Sequence, residues 1–409
     1  MSRIDRCRAC DDPRLAPVLS LGATPLANAL VAPDQGAADE PRFPLDVVLC
    51  ERCALLQLTE TVPPEVLFRD YRYFSSFSDA MVAHAGAIAA RLVEERRLGP
   101  SSLAAEIASN DGYLLQHYVA RGVPVLGIEP ARNVAAAAEA RGVRTVAEFF
   151  GRELGEQLAA EGRRADVLHA NNVMAHVPDI RGVLAGARSF LADDGVMVIE
   201  TPYAKAMLDH CEFDTIYHEH LFYWSLTALS AVAAAEGLEV VDVERLAIHG
   251  GSLRVFLARA GRTAASAAVA ALLREEDGWG VARLDAYRAF AARVSALGER
   301  LGGLLRQLKA EGKRIAAYGA AAKGSTLLNH FGIGADLLDF VADRSTHKHG
   351  RLMPGVHVPI VPAEELARRR PDYCLLLTWN FADEILAQQS AYRDRGGRFI
   401  VPIPEVTVR

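Results

Sequence analysis

The sequence predicts an α/β protein built in three parts: a small cysteine-bearing module, then two α/β units of parallel sheet and helix. Three observations predict it. Four cysteines fall in two matched pairs within the first 72 residues. From residue 73 to about 259, short apolar runs bounded by turn residues alternate with Ala-rich helical stretches, the pattern of a parallel sheet. A second series of the same kind follows a stretch with helical spacing over 260–312. The expected divisions are therefore 1–72, 73–259 and 260–409.

Size and composition agree with that plan. A chain of 409 residues is too long for one core. Hydrophobic residues make up 51% and charged residues 23%, a globular balance. The net charge is -6 with no basic stripe, which argues against nucleic acid as a partner. No run of 18 apolar residues exists, so no membrane helix is expected. The chain opens on Arg, Asp and Cys rather than on a signal peptide, so a cytoplasmic protein with reduced thiols is expected. The expected partner is a small molecule, and the expected assembly a monomer or weak homo-oligomer.

In the first part, Cys7 and Cys10 form one C-x2-C knuckle and Cys50 and Cys53 another. Two such knuckles complete a tetrahedral thiolate site for Zn2+. Four protein ligands leave no open position, so the metal is expected to be structural, a staple for a module with little core. Cys211 and Cys374 fall outside the pattern and read as core thiols.

The second part begins with the strand "SLAAEIAS", followed by the turn Ala108-Ser109-Asn110-Asp111-Gly112 and a helix. A nucleotide-type cofactor approaches the backbone at such a strand end. The next strand, "VPVLGIEP", ends in Glu129, placed to accept ribose hydroxyls. A phosphate-bearing dinucleotide calls for G-x-G-x-x-G, but this turn carries Asp111 and one glycine. A carboxylate there suits a cationic, phosphate-free cofactor, so S-adenosylmethionine (SAM) fits better than NAD. Glu106, Ala108, Asn110, Asp111, Gly112, Glu129 and Pro130 are the expected cofactor contacts. Phe149 and Phe150 are candidates for stacking on adenine. The strands "ADVLHANN" and "GVMVIETP" complete the series, and Asn171, Asn172 and His176 stand just past the first of them.

The stretch "YHEHLFYWS" packs Tyr217, His218, Glu219 and His220 together, with Tyr223 behind. As a strand it would put His218 and His220 on one face and Tyr217 and Glu219 on the other; as a turn it would let all four meet. It is not H-E-x-x-H, so a catalytic metal is disfavoured. In the third part, "RIAAYGAAAKGSTLLN" reads as strand, small-residue turn and helix start. Lys323, Gly324, Ser325 and Thr326 are expected to cradle a phosphate there, but not as a P-loop, because Lys323 precedes Gly324. The loop "ADRSTHKHGRLMPG" adds Asp343, Arg344 and Lys348, and "TWNFADEI" adds Trp379 and Asn380 past another strand end.

The paired cysteines, "EIASNDG", "GIEP", "NNVMAHVPD", "YHEHLFYWS", "GAAAKGSTLLN" and "DRSTHKHGRLMPG" occur in this order over nearly the whole chain. Together they resemble the SAM-dependent C-methyltransferases that act on nucleotide-linked 4-keto-deoxysugars. The resemblance implies a zinc module, a SAM-binding Rossmann-like methyltransferase domain and a C-terminal Rossmann-like domain that helps hold a nucleotide sugar, with thymidine diphosphate (dTDP) as nucleotide. It implies His220 as the base for C3 of the sugar, with Tyr217, Glu219 and His176 lining the sugar site. It further implies a functional tyrosine in "RDYRYFSSFS", Tyr71 by position, with Tyr73 adjacent. Asn329 closes the "GAAAKGSTLLN" motif. One departure stands out: family members commonly carry glycine where this chain has Ala108, which is small but restricts φ.

Overall fold

The structure is a computed structural model and describes residues 2–34, 40–68 and 74–409. Tyr71 and Tyr73 lie outside the described residues. None of the described helices is long and apolar enough to cross a membrane.

The N-terminal hairpin pairs β1 (Leu15–Thr24) with β2 (Phe43–Cys50), and β3 (Leu56–Leu58) returns along β2. The second knuckle occupies the turn between β2 and β3, where Ala54 takes a φ of 58°. The Cys10–Cys50 and Cys7–Cys53 sulfurs stand 3.5 and 3.6 Å apart. All four lie within 4.8 Å of one another. Thiolates on a tetrahedral zinc are about 3.8 Å apart, so the four residues fit the metal.

After α1 (Asp79–Glu95) come β4 (Ala104–Ile107), β5 (Val125–Ile128), α2 (Arg132–Ala140), β6 (Thr145–Val146), β7 (Ala165–Asn171), α3 (Ile180–Phe190) and β8 (Leu191–Pro202). Next in the chain is β9 (Phe222–Tyr223), then α4 (Leu226–Ala235), β10 (Leu238–Leu246) and β11 (Ser252–Arg259). The central sheet has the order β10-β11-β8-β7-β4-β5-β6. Strands β8, β7, β4, β5 and β6 are parallel; β11 pairs antiparallel with β8, and β10 pairs antiparallel with β11 and so runs in the direction of the parallel strands. The chain runs outward from β4 through β5 to β6, then crosses back to β7 on the other side. That reversal opens a crevice at the carboxyl ends of β4 and β7.

Strand β9 does not join this sheet. It pairs with β3, so a strand from the middle of the chain extends the N-terminal sheet to the order β9-β3-β2-β1.

The expected single helix over 260–312 is two helices, α5 (Ala267–Trp279) and α6 (Leu284–Ala310). Gly280, at φ 88°, accepts the left-handed conformation that ends α5. The C-terminal unit then runs β12 (Ile315–Tyr318), α7 (Ala322–Phe331), β13 (Val341–Asp343), β14 (Ile360–Pro362), β15 (Tyr373–Leu376), β16 (Arg398–Val401) and β17 (Thr407–Val408). Its sheet order is β14-β13-β12-β15-β16-β17, parallel except for β17. One contiguous apolar cluster includes residues of all three parts.

Candidate active site

A cavity of about 750 Å³ opens at the carboxyl ends of β4 and β7 and takes residues from all three parts. Its cofactor end is bordered by Ile107, Ala108, Asn110, Ile128, Glu129, Pro130, Phe149, Phe150, Asn171 and Asn172. Ala108, Asn110 and Gly112 alternate through positive φ of 52°, 50° and 78°, which winds the turn tightly around the end of β4. Glu129 closes this turn from β5. Its Oε2 accepts from the Asn110 backbone N–H at 2.9 Å and its Oε1 from that of Ala131 at 2.8 Å. Each oxygen keeps a lone pair for a ribose hydroxyl. Asn171 Oδ1 is buried and finds no hydrogen-bond partner among the described residues, leaving an acceptor at the cofactor end. Five carboxylates line the cavity (Glu65, Glu129, Asp179, Glu212, Glu219), and Lys323 is its one Lys or Arg among the described residues. At the cofactor end, an apolar and aromatic wall with the spare acceptors of Glu129 and Asn171 fits an adenosyl group that carries a sulfonium.

Three expected cofactor contacts are placed elsewhere. Asp111 is fully buried behind the turn. Its Oδ2 accepts from Arg141 Nη1 at 2.9 Å and from the Ser76 hydroxyl, while its buried Oδ1 has no hydrogen-bond partner among the described residues. Gly112 faces Val143 and Ala138, where a side chain would collide with the packing of α2. Glu106 is buried within β4, and burial first, then Glu129, Asp111 and Glu200, pushes its carboxyl well above the usual carboxylate range. Phe149 is half-buried, whereas Phe150 is buried and tilts against Phe190 at 6.4 Å.

The other end is built on the Tyr217–His220 stretch, which is a turn and not a strand. Tyr217, Glu219 and His220 line the cavity. His218 turns away, buried, with Nε2 3.2 Å from the carbonyls of Phe43 and Pro44. His220 Nδ1 lies 2.8 Å from the Thr215 carbonyl oxygen. A carbonyl only accepts, so the proton sits on Nδ1 and the lone pair on Nε2. Burial, with smaller contributions from His176 and Lys323, holds His220 well below the usual histidine range, against an opposing pull from the Thr215 carbonyl. The ring is therefore a neutral acceptor at neutral pH. His176 stands against it with ring centroids 4.9 Å apart and donates from Nδ1 to the Glu219 carbonyl at 2.7 Å. Burial lowers His176 to about 4. Tyr217 lies over His220 at 4.1 Å, and the buried hydroxyl of Tyr223 has no partner among the described residues.

The C-terminal unit reaches the cavity with Lys323 and Asn380. Lys323 Nζ is 4.8 Å from the centre of the Trp379 ring and 3.8 Å from Glu212 Oε2. Trp379 itself is buried and donates to Asp214 Oδ2 at 2.7 Å. The expected phosphate cradle is occupied by the protein's own groups. Ser325 and Thr326 are buried inside α7, and a side chain at Gly324 would meet Leu377. Asn329 donates to the Ser325 and Pro354 carbonyls, both at 2.9 Å. Lys348 donates to the Ala320 carbonyl at 2.8 Å, and Asp343 accepts from the Ala320 N–H at 2.7 Å. Arg344 is exposed. Asp343 thus closes the turn after β12 as Glu129 closes the turn after β4, a structural echo with no sequence repeat. Sequence reasoning missed Asn28, Glu212 and Thr215. The last two immediately precede the histidine stretch; Asn28 sits in a loop without any motif.

Comparison with known proteins adds three family-model matches: a zinc binding domain over residues 7–68, a methyltransferase domain over 88–243 and a C-methyltransferase C-terminal domain over 247–404. C-methyltransferase NovU of Streptomyces niveus is 41% identical over 406 residues, covering 99% of this chain and 97% of that one. Among solved structures, magnesium protoporphyrin IX methyltransferase from Synechocystis PCC 6803 with bound SAM matches 47% of this chain and 86% of its own, at 13% identity and a TM-score of 0.34. The glycopeptide N-methyltransferase MtfA with SAM matches 46% and 96%, at 14% identity and a TM-score of 0.34. With its zinc-binding cysteines, its SAM-binding unit and a relative aligned from end to end, the chain belongs to the C-methyltransferase family and is a SAM-dependent C-methyltransferase.

Proposed function

We propose that the enzyme methylates a nucleotide-linked, dTDP-type 4-keto-deoxysugar at C3, in the making of a branched deoxysugar. The observation that carries this reading is the His220 tautomer: an acceptor Nε2 on the cavity wall, with Nδ1–H committed to Thr215. A ketone acidifies the hydrogens on the carbons beside it. His220 Nε2 takes the C3 proton, and the C–H electron pair becomes the enolate of C3, C4 and the carbonyl oxygen. Lys323 supplies the positive charge in the cavity, and Tyr217 and Tyr223 supply hydroxyls for the enolate oxygen. Bound SAM supplies the electrophilic methyl group. Transfer to the enolate carbon would break the S–CH3 bond, leave S-adenosylhomocysteine and re-form the ketone. Glu219 and His176 orient the sugar and the loop that bears the base. Tyr71 and Tyr73 remain further proposed substrate contacts.

Mass spectrometry of the enzyme with SAM and a dTDP-4-keto-2,6-dideoxyhexose in deuterated water tests the proposal. Gain of one methyl, with deuterium entering C3 when SAM is withheld, is the expected result. Deuterium at C5 alone would move the reaction to the other side of the ketone. Neither exchange nor methylation, with SAM still bound, would mean a different acceptor.

A further inference from the structure

Asn28 follows β1 in the cysteine module, and its side chain reaches the cavity. Its Nδ2 donates to Glu219 Oε1 at 2.7 Å. The backbone near Asn28 is clipped to the C-terminal unit. Val31 and Leu352 exchange both of their backbone hydrogen bonds, at 3.0 and 2.9 Å, and the Leu30 carbonyl accepts from Arg351 Nη1 at 3.4 Å. The Leu30 N–H in turn donates to the Asn28 carbonyl at 2.9 Å, tying this residue to the clipped segment. A single amide thus stands where all three parts of the chain meet.

We propose that Asn28 is a positioning residue of the active site: its amide aims the Glu219 carboxylate into the cavity, and the Val31–Leu352 bridge sets where the amide stands. The inference rests on the reading that Glu219 faces the sugar. Burial pushes the Glu219 carboxyl up, and the Asn28 bond opposes that shift. Asn28 is exposed and Glu219 half-buried, and the carboxylate charge strengthens the amide bond between them. With Oε1 engaged, Oε2 is the acceptor presented to a substrate hydroxyl or ammonium. The pair therefore selects a sugar that places a donor there.

Two measurements test this on the full-length, zinc-loaded protein. The first is a double-mutant cycle on kcat/KM with the dTDP-4-keto sugar, using Asn28→Ala, Glu219→Ala and the double variant. Asn28→Ala should lower kcat/KM about tenfold with SAM affinity and zinc content unchanged. It should add no further loss in the Glu219→Ala background, where the acceptor is gone. Losses that multiply independently would overturn the proposal. The second needs no substrate: the 13Cδ resonance of Glu219, assigned by its disappearance in Glu219→Gln, should move in Asn28→Ala. If the wild-type enzyme does not turn over the sugar, the substrate reading fails while the resonance still decides the role of Asn28. An unmoved resonance would sink it.

Discussion

In the proposed reaction, His220 carries the chemistry through its protonation state. Because its conjugate acid is held well below the usual 6.5, the base form is already complete at neutral pH. The kcat/KM profile should stay level as pH falls through 6.5 and drop only at lower pH. A half-point at or above 6.5 would refute the assignment of the base. His220→Ala should retain SAM affinity by calorimetry and lose turnover by about 100-fold or more. His169 titrates without taking part in chemistry: it is fully buried, bonded to the Tyr118 hydroxyl at 2.8 Å and lowered by burial to about 4. The unfolded chain binds a proton near 6.5 that the folded chain refuses until about 4, so this site favours folding above that window and opposes it progressively as pH falls. In urea unfolding, the stability deficit of His169→Gln at pH 7 should therefore shrink by pH 5. Ala108 holds a φ of 52° that glycine adopts without penalty. Relief of that strain is about 1 kcal/mol, partly offset by the greater freedom of glycine when unfolded. Ala108→Gly should thus raise the melting temperature slightly.

Among the elements, β9 matters most, although it is two residues long. It pairs with β3, whose Gln57 donates from Nε2 to Cys7 Sγ at 3.2 Å. On its other side the same segment is bonded to the loop after β7, where the Leu221 N–H donates to the Ala175 carbonyl at 2.7 Å. The zinc knuckles, the edge of the N-terminal sheet and the histidine turn are therefore one connected piece. A zinc ion held by the four thiolates would supply folding energy to that piece. Chelation, or Cys50→Ser, should speed amide exchange over 56–58 and 221–223 while leaving SAM affinity near its original value. Unaltered exchange at 221–223 after confirmed zinc loss would break the link between module and turn.

At the level of the whole molecule, the C-terminal unit reaches the segment that holds His220, the proposed base, as well as the cavity. Asp214 is fully buried, its Oδ1 has no hydrogen-bond partner among the described residues, and its Oδ2 depends on Trp379. The next residue, Thr215, orients His220. Trp379→Phe should cost about 1–3 kcal/mol of stability, the penalty for stranding a buried acceptor, and lower kcat more than it weakens SAM binding. Unchanged kcat would uncouple the two units. The sequence by itself determined the α/β class, the four zinc cysteines and the SAM-type turn, because residue type and short spacing decide knuckles, strand ends and turns. Family motifs legible in the chain also pointed to His220. Only the tertiary structure decided which side chains meet. It turned His218 out of the histidine stretch, gave Asp111 to Arg141, filled the expected phosphate cradle with Lys348 and Asp343, and brought in Asn28 from 191 residues away. Those outcomes follow from burial and hydrogen-bond satisfaction among groups distant in sequence, and no local pattern encodes them.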